Sequence, residues 1–577
     1  MFKLTHYMKL YKKESIIGPI AKLTEAVFEL LVPYIMSKLI DNGIMKNDIH
    51  YIIKTGLLLV LLGVSGLSCA LVCQYFASKA SQGVGTAIRN DLFRHILSLS
   101  AAETDKISSS SLITRLNSDV NQLQLAVAML IRLAVRAPFL IIGSTVAAIL
   151  IDVKLSVIFL ITAPLLGFVL YEVMKHSVPF YKVIQKQLDK VSLLTKESLS
   201  GAIVIRAFSM QSREENRFAK TSDELSKQSM TVGRISSLLG PLTFLIMNTA
   251  VVFILWFGGK RVNTGNFTQG EIIAFVNYIT SIMLTMVVLA NIIVIFTKAG
   301  ASAVRVNEIF EMKPSITEIN TTPITTDKNA PAVEFRNVSF TYNTESEKVL
   351  ENISFKISVG EKVGIIGGTG SGKTSILNLI PRYYDTLEGD VYVFGRNVKE
   401  FPFSQLRSSV ITVEQKVALL SGTVRDNIRL SDKSISDGEI MSALETAQAA
   451  DFVNNTDDKL DHYIEQNGQN LSGGQKQRLA VARAIAAKPE ILILDDSSSA
   501  LDFSTEAKMR AAISASLPKT TIITSTQRVS CVMHCDSIIV IDDGKVVAHG
   551  THKDLYNNCD IYKEICNSQL KEKEEIK

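Results

Sequence analysis

Over the first 300 residues the apolar positions come in long runs, and after about residue 330 they come in short ones. The runs 52–77, 125–151, 155–174, 238–257 and 272–296 each reach the roughly 20 apolar residues that cross a bilayer as a helix. A sixth run, 16–40, carries Lys22, Glu25, Glu29 and Lys38, and alone it also suits a helix lying in the interface. The loops favour a crossing. Lys and Arg mark cytoplasmic loops. The N-terminal tail holds Lys3, Lys9, Lys12 and Lys13. The stretch 78–124 holds Lys79, Arg89, Arg94, Lys106 and Arg115, and 175–234 is richer still, with Lys182, Lys186, Lys190, Lys196, Arg206, Arg213 and Arg217. The connections 41–50, 152–154 and 258–270 are short and carry few basic residues. Long basic and short loops alternate only if 16–40 crosses, so the expectation is six spans with both chain ends inside.

The two long cytoplasmic loops do not read as loops. Between Phe180 and Leu239 there is no proline, glycine occurs only at Gly201 and Gly233, and apolar residues recur among charges. That pattern predicts helices continuing well beyond the membrane. After Arg305 the character changes. The stretch 313–331 is rich in Thr, Pro and Asn and reads as a linker. From Ala332 short apolar strands at 362–366, 491–494, 521–523 and 537–541 alternate with helical segments, the pattern of an α/β domain. The expected fold class is an all-α six-helix transmembrane domain (1–310), a linker (311–331) and an α/β P-loop nucleotide-binding domain (332–577).

Composition agrees. The 577 residues are 47% hydrophobic and 20% charged, which excludes disordered, collagen-like and small disulfide-scaffold classes. A net charge of +5 is small for this length and makes no case for nucleic acid. Six cysteines without framework spacing suit a reducing compartment. Cys531, His534 and Cys535 lack a fourth ligand for a metal site, and Cys69 and Cys73, one turn apart, read as packing residues.

Gly367, Gly368, Thr369, Gly370, Ser371, Gly372, Lys373 and Thr374 match G-x-x-x-x-G-K-[ST], between a predicted strand and a predicted helix. Glycines there let backbone N–H groups converge on phosphates without a Cβ in the way. Lys373 supplies charge to the β- and γ-phosphates, and Thr374 offers its hydroxyl to Mg²⁺. The apolar run 491–494 ends in Asp495, a second candidate Mg²⁺ ligand. Between these motifs Leu471, Ser472, Gly473, Gly474 and Gln475 open the predicted helix 476–487. Small residues at a helix N-terminus favour an anionic phosphate.

With LSGGQ ahead of a strand ending in Asp, the chain resembles the ATP-binding cassette (ABC) transporters. Nearly the whole length is similar to the exporter branch, as a half-transporter. The resemblance implies that 471–475 cap ATP held by the phosphate loop of a second subunit. It also implies that Tyr342 stacks on adenine, that Gln415 senses Mg²⁺ and that 499–502 join the two ATP sites. Coupling helices are implied near 99–106 and 207–216. The implied activity is ATP-driven translocation of amphipathic drug- or lipid-like molecules across the plasma membrane of a bacterium, with ATP and Mg²⁺ as cofactors. Abundant Lys, Ile and Asn point toward an AT-rich bacterial genome.

Two residues depart from the family pattern. Asp496 stands where active cassettes carry Glu, and Gln527 stands where they carry a switch His. Glutamine can hydrogen-bond a γ-phosphate but cannot carry a proton at neutral pH. Groups for binding are intact and groups for hydrolysis are altered. The chain therefore resembles the degenerate-site subunit of heterodimeric bacterial multidrug exporters. Its partners would be a second, different half-transporter, the lipid bilayer and an amphipathic substrate. A homodimeric exporter and an ATP-binding membrane regulator without transport remain as alternatives. Glu25 and Glu29, i and i+4 on one helix, either line a cavity favouring cationic amphiphiles or pair with Lys22 or sit near the interface. Arg132 and Arg136 are expected to anchor the third span at the interface.

Overall fold

The computed structural model describes residues 2–319, 322–342 and 347–574. Its contacts divide the chain into one unit of Met1–Ser98 with Ser108–Met312 and another of Leu99–Ile107 with Lys313–Lys577.

The first unit is a helical transmembrane domain of about six long helices. Among the described residues, five helical runs are long and apolar enough to cross a membrane: Ile49–Ser98, Ser109–Ile151, Val153–Ser177, Gln211–Asn263 and Gln269–Glu311. Lys12–Lys38 has the length, 27 residues, but its charges keep it outside that set. Helix Ile49–Ser98 has 50 residues, about 75 Å at 1.5 Å per residue, against a hydrocarbon layer of about 30 Å. The expected extension beyond the bilayer is present here and in the 48-residue helix Val153–Ser200. Leu57, Val60, Leu61, Val64, Leu67 and Leu71 leave one side of Ile49–Ser98 apolar and exposed, as a lipid-facing surface requires.

Short connections are closed by caps. Asp152 accepts from Leu155 N at 2.8 Å, starting helix Val153–Ser200, and its carboxylate also pairs with Arg261 at 2.7 Å. Asp41 accepts from Gly270 N at 2.9 Å and from the Thr268 hydroxyl at 2.6 Å. In the second long loop the break between helices spans 201–210, overlapping the start of 207–216. Helix Val153–Ser200 ends at Gly201, a short helix covers Ala202–Ala207, and Ser209 turns the chain at φ +52° before Gln211–Ser237 begins.

Among the described residues the second unit holds a two-stranded ribbon, Gly422–Thr423 with Tyr463–Ile464, and two larger sheets. One is antiparallel, in the order Leu350–Ile357, Val333–Phe340, Glu388–Val393, Arg396–Asn397. The other runs Lys545–Gly550, Ser537–Asp542, Lys362–Ile366, Thr521–Thr526, Ile491–Asp495, Val410–Val413, parallel except for its first strand. Ile491–Asp495 is buried at every position, because a parallel strand covered on both faces needs apolar side chains on both.

The segment Leu99–Ile107, placed by sequence with the membrane helices, belongs to this unit by its contacts. Tyr384 donates to Asp105 at 2.8 Å, Glu103 accepts from Ser315 N at 3.2 Å, and the Ser100 hydroxyl accepts from Ile316 N at 3.1 Å. Among the described residues, 313–331 contain no helix or strand. Gln405 fastens this stretch by accepting from Ile324 N at 2.9 Å and donating to Ile324 O at 2.8 Å.

Candidate functional site

Strands Lys362–Ile366, Thr521–Thr526 and Ile491–Asp495 are neighbours and parallel. Their C-terminal ends therefore deliver 367–374, 527 and 495–496 to one edge of the sheet, where α/β folds place ligands. A cavity of about 290 Å³ opens there, lined by 369–375, Gln415, Asp495, Asp496, Ser525, Gln527 and Val349.

In the phosphate loop Gly372 has φ +98°, and a Cβ there would lie 2.6 Å from Leu350 Cδ2. Glycine is needed for both backbone and space. The Lys373 ammonium is folded back onto its own loop, donating to Gly367 O at 2.9 Å and Gly368 O at 2.6 Å. Burial lowers its pKa from the usual lysine value, opposed by Asp495 and Asp496. The Thr374 hydroxyl donates to Asp495 Oδ2 at 2.8 Å, and Asp495 is only 5% exposed. Ser371 Oγ and Ser525 Oγ are buried and have no hydrogen-bond partner among the described residues. Buried hydroxyls left over beside an ammonium fit phosphate oxygens, since such groups otherwise cost desolvation energy. The oxygens of Thr374 and Asp495 fit a hard divalent cation such as Mg²⁺.

Tyr342 does not line the cavity. Its hydroxyl lies 3.0 Å from that of Ser375, which does, and edge-on contacts with Phe340 and Tyr384 at 4.8 and 5.1 Å support its ring.

Asp496 follows the buried strand in the left-handed region, at φ +43°. Its N–H donates to Ser525 O at 2.9 Å, and its carboxylate accepts from Gln415 Nε2 at 3.1 Å. Burial raises its pKa above the usual aspartate value, while the Gln415 hydrogen bond pulls it down. Gln527 is exposed at the cavity, and its backbone carbonyl accepts from Gln569 Nε2 at 2.7 Å. Asp496, Gln415 and Gln527 thus share one cavity with the phosphate loop.

None of 471–475 lines that cavity. Ser472 caps helix Gly473–Ala486: its hydroxyl accepts from Gln475 N at 3.3 Å, and Gln475 Oε1 accepts from Ser472 N at 2.8 Å. Ser472 and Gly473 are exposed. A Cβ at Gly474 would sit 3.1 Å from Ala500 O, so the turn 499–502 lies close against this helix start.

Some supporting residues carry no motif. Gln477, buried, donates to Ser499 Oγ at 3.2 Å and accepts from Ala500 N at 3.1 Å, tying helix Gly473–Ala486 to that turn. Arg528 donates to Ser499 O at 3.3 Å. Only their nearness to LSGGQ and to Gln527 could have flagged them.

Glu25 and Glu29 lie in the other unit and do not act as a pair. Glu25 is bonded to Lys22 at 2.7 Å, whereas Glu29 meets Arg136 at 2.5 Å. Arg136, expected as an interfacial anchor, instead shares with Glu29 a cavity of about 220 Å³ that also includes Ser281 and Thr285.

Known proteins match this arrangement end to end. The family described as ABC transporter transmembrane region matches residues 15–287, and the one described as ABC transporter matches 350–499. An uncharacterized ABC transporter ATP-binding protein of Bacillus subtilis, YfiB, is 35% identical over 570 residues, covering 99% of both chains. Another of Mycobacterium tuberculosis, Rv1273c, is 33% identical over 571 residues, covering 98% of this chain and 97% of its own. The solved structure of a bacterial Atm1-family ABC exporter with ATP bound shares the fold at a TM-score of 0.82 and 21% identity, covering 97% of this chain and 99% of that one. Matched in both halves and along its full length, the chain belongs to the ABC transporters, with membrane region and ATPase joined on one polypeptide.

Proposed function

We propose that this chain is the hydrolysis-impaired half of a heterodimeric bacterial exporter in the plasma membrane, with both termini cytoplasmic, moving amphipathic drug- or lipid-like molecules. The observation that carries the reading is that Asp496 and Gln527 line the same cavity as the phosphate loop, in place of Glu and His. In this reading Lys373 leaves its loop carbonyls for the β- and γ-phosphates, Ser371 and Ser525 donate to phosphate oxygens, and Tyr342 stacks on the base. Mg²⁺, held by Thr374, Asp495 and Gln415, would supply charge neutralisation at the β- and γ-oxygens.

Asp496 is left to orient and deprotonate water with a side chain one methylene short. A displacement of about 1 Å can cost on the order of 10²-fold in rate. Residues 471–475 lie outside their own chain's cavity, so they are free to complete a partner's ATP site. Nucleotide closure there drives the membrane helices, and hydrolysis at the partner's site resets them.

A homodimer has one observation in its favour: Asp496 is still a carboxylate, and its raised pKa is the direction a general base requires. The two readings part on one experiment. The purified chain alone in lipid should hydrolyse Mg-ATP slowly, and addition of a second half-transporter carrying Glu and His should restore turnover. Fast hydrolysis by the lone chain sinks the heterodimer.

A further inference from the structure

The C-terminal helix Asp560–Glu574 is not needed to close the cavity, yet it reaches the loop that carries Gln527. Tyr562 and Cys566, both fully buried, pack it against Ile366, Val529 and Val532. Ile366 is the last residue before the phosphate loop, and Val529 begins the short helix after Gln527. From this anchored helix the amide of Gln569 closes on the loop with both ends. Its Nε2 donates to Gln527 O at 2.7 Å, and its Oε1 accepts from Val529 N at 2.9 Å. A planar amide bonded at both ends fixes the plane of the main chain between those points. The Gln527 side chain leaves from the Cα directly bonded to the first of those points, so holding the carbonyl sets the direction of that Cα. The loop's main chain is also tied at Arg528, whose N–H donates to the Thr526 hydroxyl at 3.1 Å and whose carbonyl accepts from Cys531 N at 3.1 Å.

We infer that Gln569 is a positioning residue. It aims Gln527 at the γ-phosphate, and it makes the preference of this ATP site for triphosphate over diphosphate depend on the docked C-terminal helix. The inference rests on the reading of Gln527 given above. The donor arm matters most, because it holds the carbonyl of the residue that must point into the cavity. The acceptor arm only secures the start of the following helix.

The full-length chain in lipid nanodiscs tests this by equilibrium displacement of a fluorescent nucleotide with ADP and with the imido analogue of ATP. Gln569→Ala should lower the triphosphate preference by about fivefold, leaving ADP affinity and the thermal midpoint unchanged. Gln569→Glu keeps an acceptor for Val529 N but cannot donate to Gln527 O, so it should behave as Gln569→Ala does. In a Gln527→Ala background neither change should have any further effect. A wild-type preference in Gln569→Glu overturns the positioning role, as does an unchanged loss from Gln569→Ala when Gln527 is already Ala. A silent Gln527→Ala instead removes the γ-phosphate reading of Gln527, and the positioning role with it. The two failures are therefore told apart.

Discussion

Asp495 and Asp496 are chain neighbours with opposite surroundings. Asp495 closes a strand buried at every position and is bonded to Thr374, so its place is set by sheet register. Asp496 turns at φ +43°, is less buried, and is held by a Gln415 side chain from outside the strands. The same division runs around the cavity. In the proposed reading, Lys373, Thr374 and Asp495, which would grip the nucleotide, stand on strand ends and a helix start, while Asp496 and Gln527, which would act on it, stand on loops, as does Gln415. Loss of hydrolytic power can therefore occur with the grip intact.

Four variants sharpen or break that contrast. Lys373→Ala should reach furthest, lowering ATP affinity on the order of 10³-fold through two or more lost charge-assisted hydrogen bonds, as read by nucleotide displacement. Asp496→Glu combined with Gln527→His should raise turnover of the lone chain by roughly 10²-fold with little change in KM. If KM rises in step, the grip is not separate from the cutting groups.

Gln477→Ala should leave this chain's own ATP affinity unchanged and lower turnover in the reconstituted pair by about tenfold. It frees the turn at Ser499 and Ala500 from the helix that begins with LSGGQ. Smallest is Gln415→Ala, read as a pH–rate profile. The Gln415 hydrogen bond stabilises the charged carboxylate of Asp496 and opposes the burial that raises its pKa. Removing it lets that pKa rise further, so the acid limb, where Asp496 becomes protonated and can no longer accept a proton, should move to higher pH.

Much of this site was legible in the chain because its groups sit at fixed offsets along it. The phosphate loop, Asp495 and LSGGQ are local patterns, and the strands predicted beside them occur at Lys362–Ile366 and Ile491–Asp495. Gln569 was not legible. It lies 42 residues from Gln527, and nothing in its own helix marks it. Glu29 stands out as a charge in an apolar run, but its partner Arg136 is 107 residues away. The start of the break at 201–210 is harder to see, because helix-forming residues continue on both sides of it and the stop at Gly201 and Ser209 is a backbone event.

Runs of apolar residues and their period determined which half of the chain crosses lipid and which half folds as a layered α/β domain, and the motif at 367–374 pointed to where phosphate would be held. Each of these depends on neighbours within a few positions. Tertiary structure decided which distant side chains meet: Glu29 with Arg136, Gln477 with the turn at Ser499, Gln569 with the loop of Gln527. It also decided that Leu99–Ile107, continuous with a membrane helix, makes its contacts with the ATP-binding unit. Such pairings follow from the packing of whole faces, and a linear pattern does not encode which face a distant helix will present.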